Sequence, residues 1–397
     1  MAEITYIDQV FITNKRVLVR VDYNISFMKN GTINDDTKIH NSLATLHLLL
    51  KGNNKLILMS HLGKPKGRDM AFSMKPVADR LQAHMPGYAV TLVDDFLKDS
   101  SFAQSPADAS ENKTIFLLEN TRFYDGEKKN DPEFSKQLAN LADVYVDDAF
   151  GSVHRAHAST VGVTTFLPSY GGLLIKEEVS LIKQVIEAPE RPVVAIIGGA
   201  KISSKIGIIE KFMMIADSVL IGGAMTNNFL KAKGIEIGKG LIDVDFIPAA
   251  KRLLDIAAEQ NKHILLPVDR RIGAQHDETS EPIIKKVEDV GVDDETLDIG
   301  PETEKQFADV ISHAKTVIWN GPMGHFENPQ FAKGSIAVYN AIINNPTVES
   351  ILGGGDTISV IKKLPNNDKI THISTGGGAM LELIEKGTLP GLEALKK

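Results

Sequence analysis

The sequence has no cysteine and only one tryptophan among its 397 residues. The lack of cysteine excludes disulfide bonds, thiolate catalysis and cysteine-ligated zinc sites. No apolar run approaches the ~18 residues of a membrane-spanning helix. The acidic N-terminus also lacks the basic and apolar regions of a signal peptide. Together these absences predict a cytoplasmic protein.

The sequence has fewer basic than acidic residues: 44 lysines and arginines against 51 aspartates and glutamates, for a formal net charge of −7 at pH 7. This balance argues against a general binder of nucleic acid or of membrane surfaces, since such proteins are usually basic. A local basic site is still compatible with it, because a small anionic substrate needs only a few converging cations. At ~100–200 residues per domain, the length predicts roughly two or three domains.

Two common phosphate-binding motifs are also missing. No segment matches the Walker A loop G-x-x-x-x-G-K-[ST], and no segment matches G-x-G-x-x-G. A kinase with this sequence would therefore be neither a P-loop enzyme nor a relative of the protein kinases.

Apolar, β-branched runs alternate with amphipathic segments along the chain. The runs are 16–20, 55–60, 89–93, 114–118, 143–146, 191–199, 218–223, 263–269, 316–321, 350–355 and 371–375. Continuous apolar runs are typical of parallel strands that are buried on both faces. Between them, Ile39, Leu43, Leu46 and Leu50 share one helical face, and 205–215 has a similar pattern. The alternation predicts doubly wound α/β architecture.

Glycine clusters end the runs of the second half, in the segments GGAK, GGAM, NGPMG, GGGDT and STGGG. Ligands of open α/β sheets bind at the carboxyl ends of the strands, and glycine there lets the backbone approach a phosphate or a purine ring. Any one cluster is better explained as a tight turn. Five clusters after successive strands predict a binding edge.

Charged residues near these clusters have two possible roles each. Lys201 and Lys205 are four apart, which would place them on one side of the first turns of a helix as a phosphate clamp; the alternative is two solvated lysines. Asp356 could be a helix N-cap or could hold Mg²⁺ together with phosphates, and the two roles are compatible. Asn320 and Glu327 would be the groups that face a nucleotide.

The strand ends of the first half carry polar and basic groups instead. Arg20, Asp22 and Asn24 alternate and are predicted to point the same way. Further along are His61, Lys64, Arg122 and Arg155. Several cations at neighbouring strand ends predict a substrate that carries both a phosphate and a carboxylate. The pair His154 and His157 lacks a third ligand at useful spacing, so we expect no metal there.

In their order along the chain, these residues resemble the phosphoglycerate kinase family from about residue 5 to the C-terminus. The matching segments are 20–24, 60–65, 117–123, 147–160, 198–206, 266–269, 297–301, 319–324, 331–334, 353–357 and 374–379. The resemblance implies reversible phosphoryl transfer between 1,3-bisphosphoglycerate and ADP, giving 3-phosphoglycerate and ATP in glycolysis or gluconeogenesis. It also implies Mg²⁺ bound with the nucleotide, and a monomer.

The resemblance further implies two doubly wound, Rossmann-like parallel-sheet domains joined by a hinge, with a cleft between them. Residues 1–172 would bind 3-phosphoglycerate and 173–379 the nucleotide, with a hinge helix near 173–188. Residues 380–397 would return to the N-terminal domain. Transfer would be in line and would need domain closure.

Site residues implied by the resemblance fall into three sets. The substrate would contact Asp22, Tyr23, Asn24, Lys38, His61, Leu62, Gly63, Lys64, Arg122 and Arg155. The nucleotide would contact Gly198, Gly199, Lys201, Lys205, Gly222, Gly223, Asn320, Pro322, Glu327, Gly354, Gly355, Asp356 and Thr357. Catalysis would use Lys38, Lys201 and the backbone of Gly355 and Gly378. Asp356 would reach the metal and Glu327 the ribose.

The chain departs from the family pattern at several positions. Lys38 and Lys64 stand where the family has arginine, and the other departures are Ser204, Thr226, Asn228, His325 and Met380. Lysine keeps the charge but loses the bidentate fork of arginine. Two alternatives are therefore open: a catalytically weakened relative kept for binding or regulation, and an α/β acyl-phosphate kinase for another carboxylic acid.

Overall fold

The computed structural model describes residues 3–28, 30–104, 113–275, 277–279 and 281–396. The chain divides into two compact units. The first holds the residues up to Leu181 together with those from Lys386 onward, and the second spans Ile182–Glu385. The boundary between the units falls inside the helix Leu173–Glu187.

The first unit is built on a six-stranded parallel sheet with the order β3-β4-β2-β1-β5-β6. Its strands are β1 Arg16–Val21, β2 Lys55–Met59, β3 Ala89–Val93, β4 Thr114–Leu118, β5 Val144–Asp148 and β6 Ser169–Gly171. The residues of β2 and β5 are buried throughout, as expected for strands covered on both faces. Val17, Leu56 and Ile115 lie in the core of this unit.

The second unit has its own six-stranded parallel sheet, with the order β15-β14-β13-β7-β8-β9. Its strands are β7 Val193–Ile197, β8 Ser218–Ile221, β9 His263–Leu265, β13 Thr316–Asn320, β14 Glu349–Gly353 and β15 His372–Ile373. Trp319 is fully buried in the core of this unit, and its indole N–H donates to the carbonyl oxygen of Gly321 at 2.8 Å.

A small antiparallel sheet in the second unit was not predicted. It consists of β10 Asp269–Ile272, β11 Ile283–Lys286 and β12 Thr296–Ile299, in the order β11-β10-β12. The prediction of one strand over 263–269 is wrong, because β9 ends at Leu265 and Asp269 begins β10. Pro267 lies between them and cannot donate to a strand ladder.

Helices connect the strands. They are α1 Thr37–Lys51, α2 Lys75–His84, α3 Gly126–Lys129, α4 Pro132–Ala139, α5 Leu173–Glu187, α6 Ile206–Ile215, α7 Thr226–Ala232, α8 Ile247–Glu259, α9 Pro301–Ser312, α10 Lys333–Ile343, α11 Gly355–Ile361, α12 Gly377–Lys386 and α13 Pro390–Leu395. Proline occupies one of the first two positions of α2, α4, α8, α9 and α13, where its missing N–H costs no hydrogen bond. The helices predicted over 37–50 and 205–215 are confirmed as α1 and α6.

Every predicted apolar run overlaps a strand, and the prediction of two parallel-sheet α/β domains is confirmed. The C-terminal residues contact the first unit, where the backbone N–H of Gly391 donates to Val153 at 2.8 Å and Ile4 pairs with Lys396. Within the described ranges, no helix is both long and apolar enough to cross a membrane.

Candidate functional site

Polar side chains gather at the carboxyl ends of neighbouring strands in the first unit. Asp22 and Asn24 follow β1, His61 follows β2 and Arg122 follows β4, while Lys38 is the second residue of α1. The carboxyl ends of parallel strands are the usual ligand-binding edge of such sheets. We call these five residues the basic cluster.

Lys38 is held by two oxygen atoms of the basic cluster. Its Nζ lies 2.9 Å from Oδ2 of Asp22 and donates to the carbonyl oxygen of Asn24 at 3.1 Å. The Asp22 side chain is 7% exposed, whereas that of Lys38 is 28% exposed. Because an ammonium has three N–H donors, these two contacts leave one donor for a substrate oxygen.

His61 is held neutral inside the basic cluster. Its Nδ1 lies 2.8 Å from Nη2 of Arg20, and a guanidinium only donates, so Nδ1 accepts and the proton is on Nε2. Burial lowers the pKa of His61 well below 6.5, and the charges of Arg20, Arg122 and Lys38 lower it further. Arg20 itself is fully buried. Asp22 is also buried, so the shared direction of Arg20 and Asp22 stays a prediction, while the contact of Arg20 with Nδ1 orients His61.

Arg122 is bound to the loop that follows His61. Its Nη1 donates to the carbonyl oxygen of Gly63 at 2.6 Å, and the N–H of Gly63 donates to Oδ1 of Asn24 at 2.9 Å. Burial lowers the pKa of Arg122, and the charge of Arg20 lowers it further. An anionic ligand would relieve this concentration of positive charge.

The other two predicted cations of the first unit are exposed. Arg155 donates from Nε to Nε2 of His154 at 3.0 Å, and the Lys64 side chain is exposed to solvent. Burial lowers the pKa of the nearby His157 to about 4, with further contributions from Arg122 and other cations. His157 is therefore neutral near pH 7.

Tyr23 and Leu62 are buried, so their side chains shape the site rather than face it. The Tyr23 hydroxyl forms a 2.8 Å hydrogen bond with that of Ser42, and burial raises its pKa. Leu62 accepts from the Asn120 amide at 2.8 Å and donates to the Asn120 side-chain oxygen at 3.2 Å. Asn120 thus connects the loops after β2 and β4.

Two adjoining cavities lie in the second unit. The first, of about 350 Å³, is lined by Lys201, Lys205, Asn320 and Thr357, among others, and we call it the lysine cavity. The second, of about 260 Å³, is lined by Arg270 among others, and we call it the arginine cavity. Gly199, Ala200, Pro322 and Asp356 line both cavities. One elongated ligand could therefore occupy the two together.

Lys201 and Lys205 do not lie on the first turns of a helix, contrary to the sequence-based prediction. The helix α6 begins at Ile206, so Lys205 is its N-cap residue and Lys201 lies in the preceding loop. Both lysines nevertheless line the lysine cavity. The loop, rather than helical spacing, brings them together.

Lys205 is fixed by Asn320. Its Nζ donates to Oδ1 of Asn320 at 2.6 Å, while the Asn320 amide donates to the carbonyl oxygen of Gly353 at 2.8 Å. Burial lowers the pKa of Lys205 to about 8, and the opposing charge of Asp356 limits that shift. In contrast, Lys201 is exposed.

The glycine loops of the second unit approach each other very closely. A Cβ atom on Gly198 would lie 2.0 Å from the carbonyl oxygen of Pro322, and one on Gly223 would lie 2.5 Å from the backbone nitrogen of Gly199. Gly223 also has a φ of +68°, which disfavours other residues. Glycine at these positions is therefore needed for the close approach of the loops beside the cavities.

We expect Gly198→Ala to lower the free energy of unfolding by about 1–3 kcal/mol, because the new methyl group would overlap Pro322. Gly355→Ala is the matched control, since a Cβ there would meet nothing within 4 Å. Thermal unfolding of the two variants and the parent measures the difference. Equal melting temperatures for Gly198→Ala and the parent would contradict this account of the loop contact.

Asp356 and Glu327 are exposed and line the cavities. Asp356 is the second residue of α11 and the N-cap is Gly354, so the N-cap assignment is wrong. Thr357 is buried and accepts from the backbone N–H of Gly321 at 2.7 Å. The Glu327 carboxylate lies 3.2 Å from Nδ1 of His325.

Some predicted positions stand apart from the cavities. Gly198, Gly222 and Gly378 are not among the described lining residues, although Gly378 is exposed.

The structure also adds lining residues that the sequence analysis missed, including Leu241, Arg270, Thr296 and Leu297. In the sequence, the feature that could have indicated these lining residues was the pair of consecutive arginines, Arg270 and Arg271, after the strand at 263–265.

Comparisons with known proteins agree with this geometry. The family model described as Phosphoglycerate kinase matches residues 7–387. A phosphoglycerate kinase of Finegoldia magna is 46% identical over 386 residues, covering 97% of each chain. One of Thermus thermophilus is 45% identical over 382 residues, covering 96% of this chain and 97% of that protein.

Solved structures give the same result. The phosphoglycerate kinase of Coxiella burnetii has a TM-score of 0.87 at 36% identity and covers 99% of this chain and 98% of its own. That of Pyrococcus horikoshii has a TM-score of 0.83 at 30% identity and covers 98% of each chain. The fold and the site define a two-domain α/β phosphotransferase. The chain belongs to the phosphoglycerate kinase family.

Proposed function

We propose that this chain catalyses reversible phosphoryl transfer from 1,3-bisphosphoglycerate to ADP, giving 3-phosphoglycerate and ATP. The observation that carries the proposal is the pair of adjoining cavities in the second unit, one of which has two lysines and the glycine loops. The lysine cavity suits the phosphates, because ammonium groups and glycine backbone bind phosphate oxygens. The arginine cavity suits the nucleoside, and its Glu327 would reach the ribose.

The basic cluster of the first unit would bind 3-phosphoglycerate or 1,3-bisphosphoglycerate. Arg122 supplies a charged donor, and neutral His61 supplies an uncharged donor from Nε2. The exposed Arg155 and Lys64 would add charge toward the phosphate that the substrate keeps. Charge-assisted hydrogen bonds of this kind recognise phosphate and carboxylate groups strongly.

The reaction needs no general base, because the nucleophile is already an anion, either the substrate carboxylate or a nucleotide phosphate oxygen. The lowered pKa values of His61 and His157 agree with this, because both imidazoles are neutral near pH 7 and neither is a charged acid there. Catalysis then consists of in-line positioning and neutralisation of charge on the transferring group. Lys38, Lys201 and the backbone N–H groups of Gly355 and Gly378 would provide that neutralisation, and domain closure would bring the substrates together.

We also propose that Mg²⁺ accompanies the nucleotide and that Asp356 holds it. Mg²⁺ in such sites is usually bound by one or two carboxylates together with substrate phosphates. A single exposed carboxylate that lines both cavities fits this requirement. No group of three metal-binding side chains occurs among the residues that the structure describes. When bound, the ion would neutralise phosphate charge.

We expect the affinity for ADP to fall as the pH rises through about 8. The pKa of Lys205 in the free protein is lowered to about 8, so the cation that favours phosphate binding is present below that pH and lost above it. The second ionisation of a phosphate ester has a pKa of ~6, so the charge on ADP is nearly constant between pH 7 and 9.5. Calorimetric titrations between pH 7 and 9.5 would measure the change.

Lys205→Met is the variant that tests this pH dependence. It should bind ADP more weakly at pH 7 and lose the fall in affinity near pH 8. Lys201→Met serves as the comparison, because it removes an exposed lysine from the same cavity. An equally steep fall in the Lys205→Met protein would assign the titration to another group.

A coupled assay of MgATP-dependent phosphorylation of 3-phosphoglycerate tests the proposed reaction. We expect turnover with 3-phosphoglycerate, no turnover without Mg²⁺, and much slower reaction with glycerate or acetate, which lack the phosphate. Equal rates with acetate would instead support a kinase for another carboxylic acid. Single-turnover activity would separate an enzyme from a binding protein.

We further propose that the protein acts as a cytoplasmic monomer. The support is its family and its lack of cysteine, which suits a reducing compartment. Analytical ultracentrifugation at several protein concentrations would measure the oligomeric state.

A further inference from the structure

The loop that carries Lys201 is anchored by a carboxylate outside the two cavities. Asp243 precedes the short 3₁₀ helix Val244–Phe246 and is not among the described lining residues of either cavity. Its Oδ2 accepts from Oγ of Ser203 at 2.8 Å and from the backbone N–H of Ser203 at 3.2 Å. One carboxylate oxygen thus binds both donors of a residue that lies two positions after Lys201.

This anchor holds the backbone of the loop and leaves the lysine head free. The hydrogen bonds from Ser203 lower the pKa of Asp243, and the charge of Lys201 lowers it further, so Asp243 is charged near pH 7. Its carboxylate contacts Ser203 rather than the ammonium of Lys201, which forms no ion pair with any described residue. The ammonium therefore remains available to a ligand in the lysine cavity.

Asp243 is itself held in place by Asn228 of the helix α7. The Nδ2 of Asn228 donates to the carbonyl oxygen of Asp243 at 2.6 Å, and the N–H of Asp243 donates to Oδ1 of Asn228 at 3.3 Å. The Asn228 side chain can do both because an amide is a donor and an acceptor. Asn228 is buried, so these contacts connect the interior of the second unit to the exposed loop.

Contacts within the loop transmit this anchor to Lys201. The hydroxyl of Ser204 donates to the carbonyl oxygen of Lys201 at 3.1 Å, and the N–H of Lys205 donates to the carbonyl oxygen of Ile202 at 2.8 Å. Ile202 is fully buried. Because these contacts close the turn around Ser203, the position of Ser203 determines the position of the Lys201 backbone.

Two departures from the family pattern converge on this loop. Ser204 contacts the Lys201 carbonyl directly, and Asn228 acts on the loop by holding Asp243. The two lysines of the cavity also differ in their support. Asn320 holds the ammonium of Lys205, whereas Lys201 is fixed through its backbone.

We propose that Asp243 is a positioning residue for phosphoryl transfer, which acts through Ser203 on Lys201. The inference rests on the proposed function, in which Lys201 neutralises charge on the transferring group. It adds a residue outside both cavities to those that determine kcat. Nucleotide binding should depend on Asp243 much less, because the ammonium of Lys205 has its own support.

The test is steady-state kinetics with MgATP and 3-phosphoglycerate for Asp243→Ala, made both in the parent and in Lys201→Ala. In the parent, Asp243→Ala should lower kcat roughly tenfold to a hundredfold, because a displacement of ~1 Å can cost about 10² in rate. The KM for ATP should change much less. In Lys201→Ala the same change should have no further effect on kcat, because changes that act through one residue are not additive.

Asp243→Asn and Asp245→Ala are the matched controls. Asparagine keeps an oxygen that can accept from Ser203, so Asp243→Asn should retain most of the parental kcat. Asp245 is exposed two residues further along the chain. Its replacement removes the same charge and should leave kcat at the parental value.

Two outcomes would overturn the inference: a parental kcat in Asp243→Ala, or an equal fall in kcat with and without Lys201. In either case a lowered kcat in Lys201→Ala would leave the proposed function intact, whereas absence of turnover by the parent would contradict the proposed function itself. If Asp243→Ala does not fold, Ser203→Ala decides the question. It removes one of the two donors to Asp243, so it should lower kcat by a smaller factor in the parent and not at all in Lys201→Ala. An unchanged kcat in the parent would then overturn the inference.

Discussion

Lys201→Ala is expected to lower kcat for 3-phosphoglycerate phosphorylation by about 10²–10³, with a much smaller change in the KM for the nucleotide. Lys201 is exposed and lines the lysine cavity. Lys205 is held in place by Asn320, so it suits binding of the ground-state phosphates. Lys201 has the freedom to follow charge that develops on the transferring group.

Steady-state kinetics of Lys201→Ala, Lys205→Met and Lys183→Ala would separate these roles. Lys205→Met should mainly raise the nucleotide KM, whereas Lys201→Ala should mainly lower kcat. Lys183 is an exposed lysine on α5 that lines neither cavity, and its replacement controls for the loss of one positive charge. A near-normal kcat in Lys201→Ala would remove this lysine from the catalytic set.

Much of the fold could be predicted because its central strands are buried on both faces. Such strands have to be continuously apolar, and a run like 193–197 indicates this in the sequence alone. The antiparallel sheet could not be predicted in this way. In β10 the central residues are Arg270 and Arg271, and their partners Thr226 and Glu304 are far along the chain.

The candidate site was predictable where it depends on strand ends and unpredictable where it depends on distant contacts. Asp22 directly follows β1 and His61 lies two residues after the end of β2, so the pattern of strands indicates where they lie. The position of the Lys205 ammonium depends on its hydrogen bond with Asn320, which is 115 residues away. Local spacing wrongly placed Lys201 and Lys205 on a helix, because nothing in the segment 198–205 shows that a loop precedes α6.

Arg270 illustrates the limit most clearly. In the sequence it follows a short apolar run, and a charged pair there indicates a surface strand. Only the three-dimensional contacts show that one arginine is paired with carboxylates and that the other lines a cavity. The position of Arg270 in the cavity wall therefore could not have been inferred from the segment 266–272.

Lys38→Ala is expected to depress kcat severely, by about 10²–10³ if Lys38 is a main stabiliser of the transferring group. The contacts of Nζ with Asp22 and Asn24 leave one N–H for a substrate oxygen. Its charge already reaches the site, because it helps to lower the pKa of His61. 3-Phosphoglycerate should still bind, through Arg122, Arg155 and His61.

A purely structural role for Lys38 makes a different prediction. Asp22 is nearly buried, so removal of its ion-pair partner costs stability, by about 1–3 kcal/mol for a group left unsatisfied. A structural role would lower the melting temperature and leave kcat per folded molecule unchanged. Thermal unfolding, calorimetric binding of 3-phosphoglycerate and kcat therefore have to be measured on the same preparations.

Lys38→Arg and Lys51→Ala complete the test. Arginine keeps the charge and adds a bidentate fork, so Lys38→Arg should match or exceed the parent in kcat. Lys51 is exposed at the other end of α1, and its replacement should leave kcat near the parental value. If Lys38→Ala keeps most of the parental kcat at normal stability, another cation neutralises the transferring group. Lys64 would then be the next residue to replace, because it follows His61 in the same loop and its side chain is exposed.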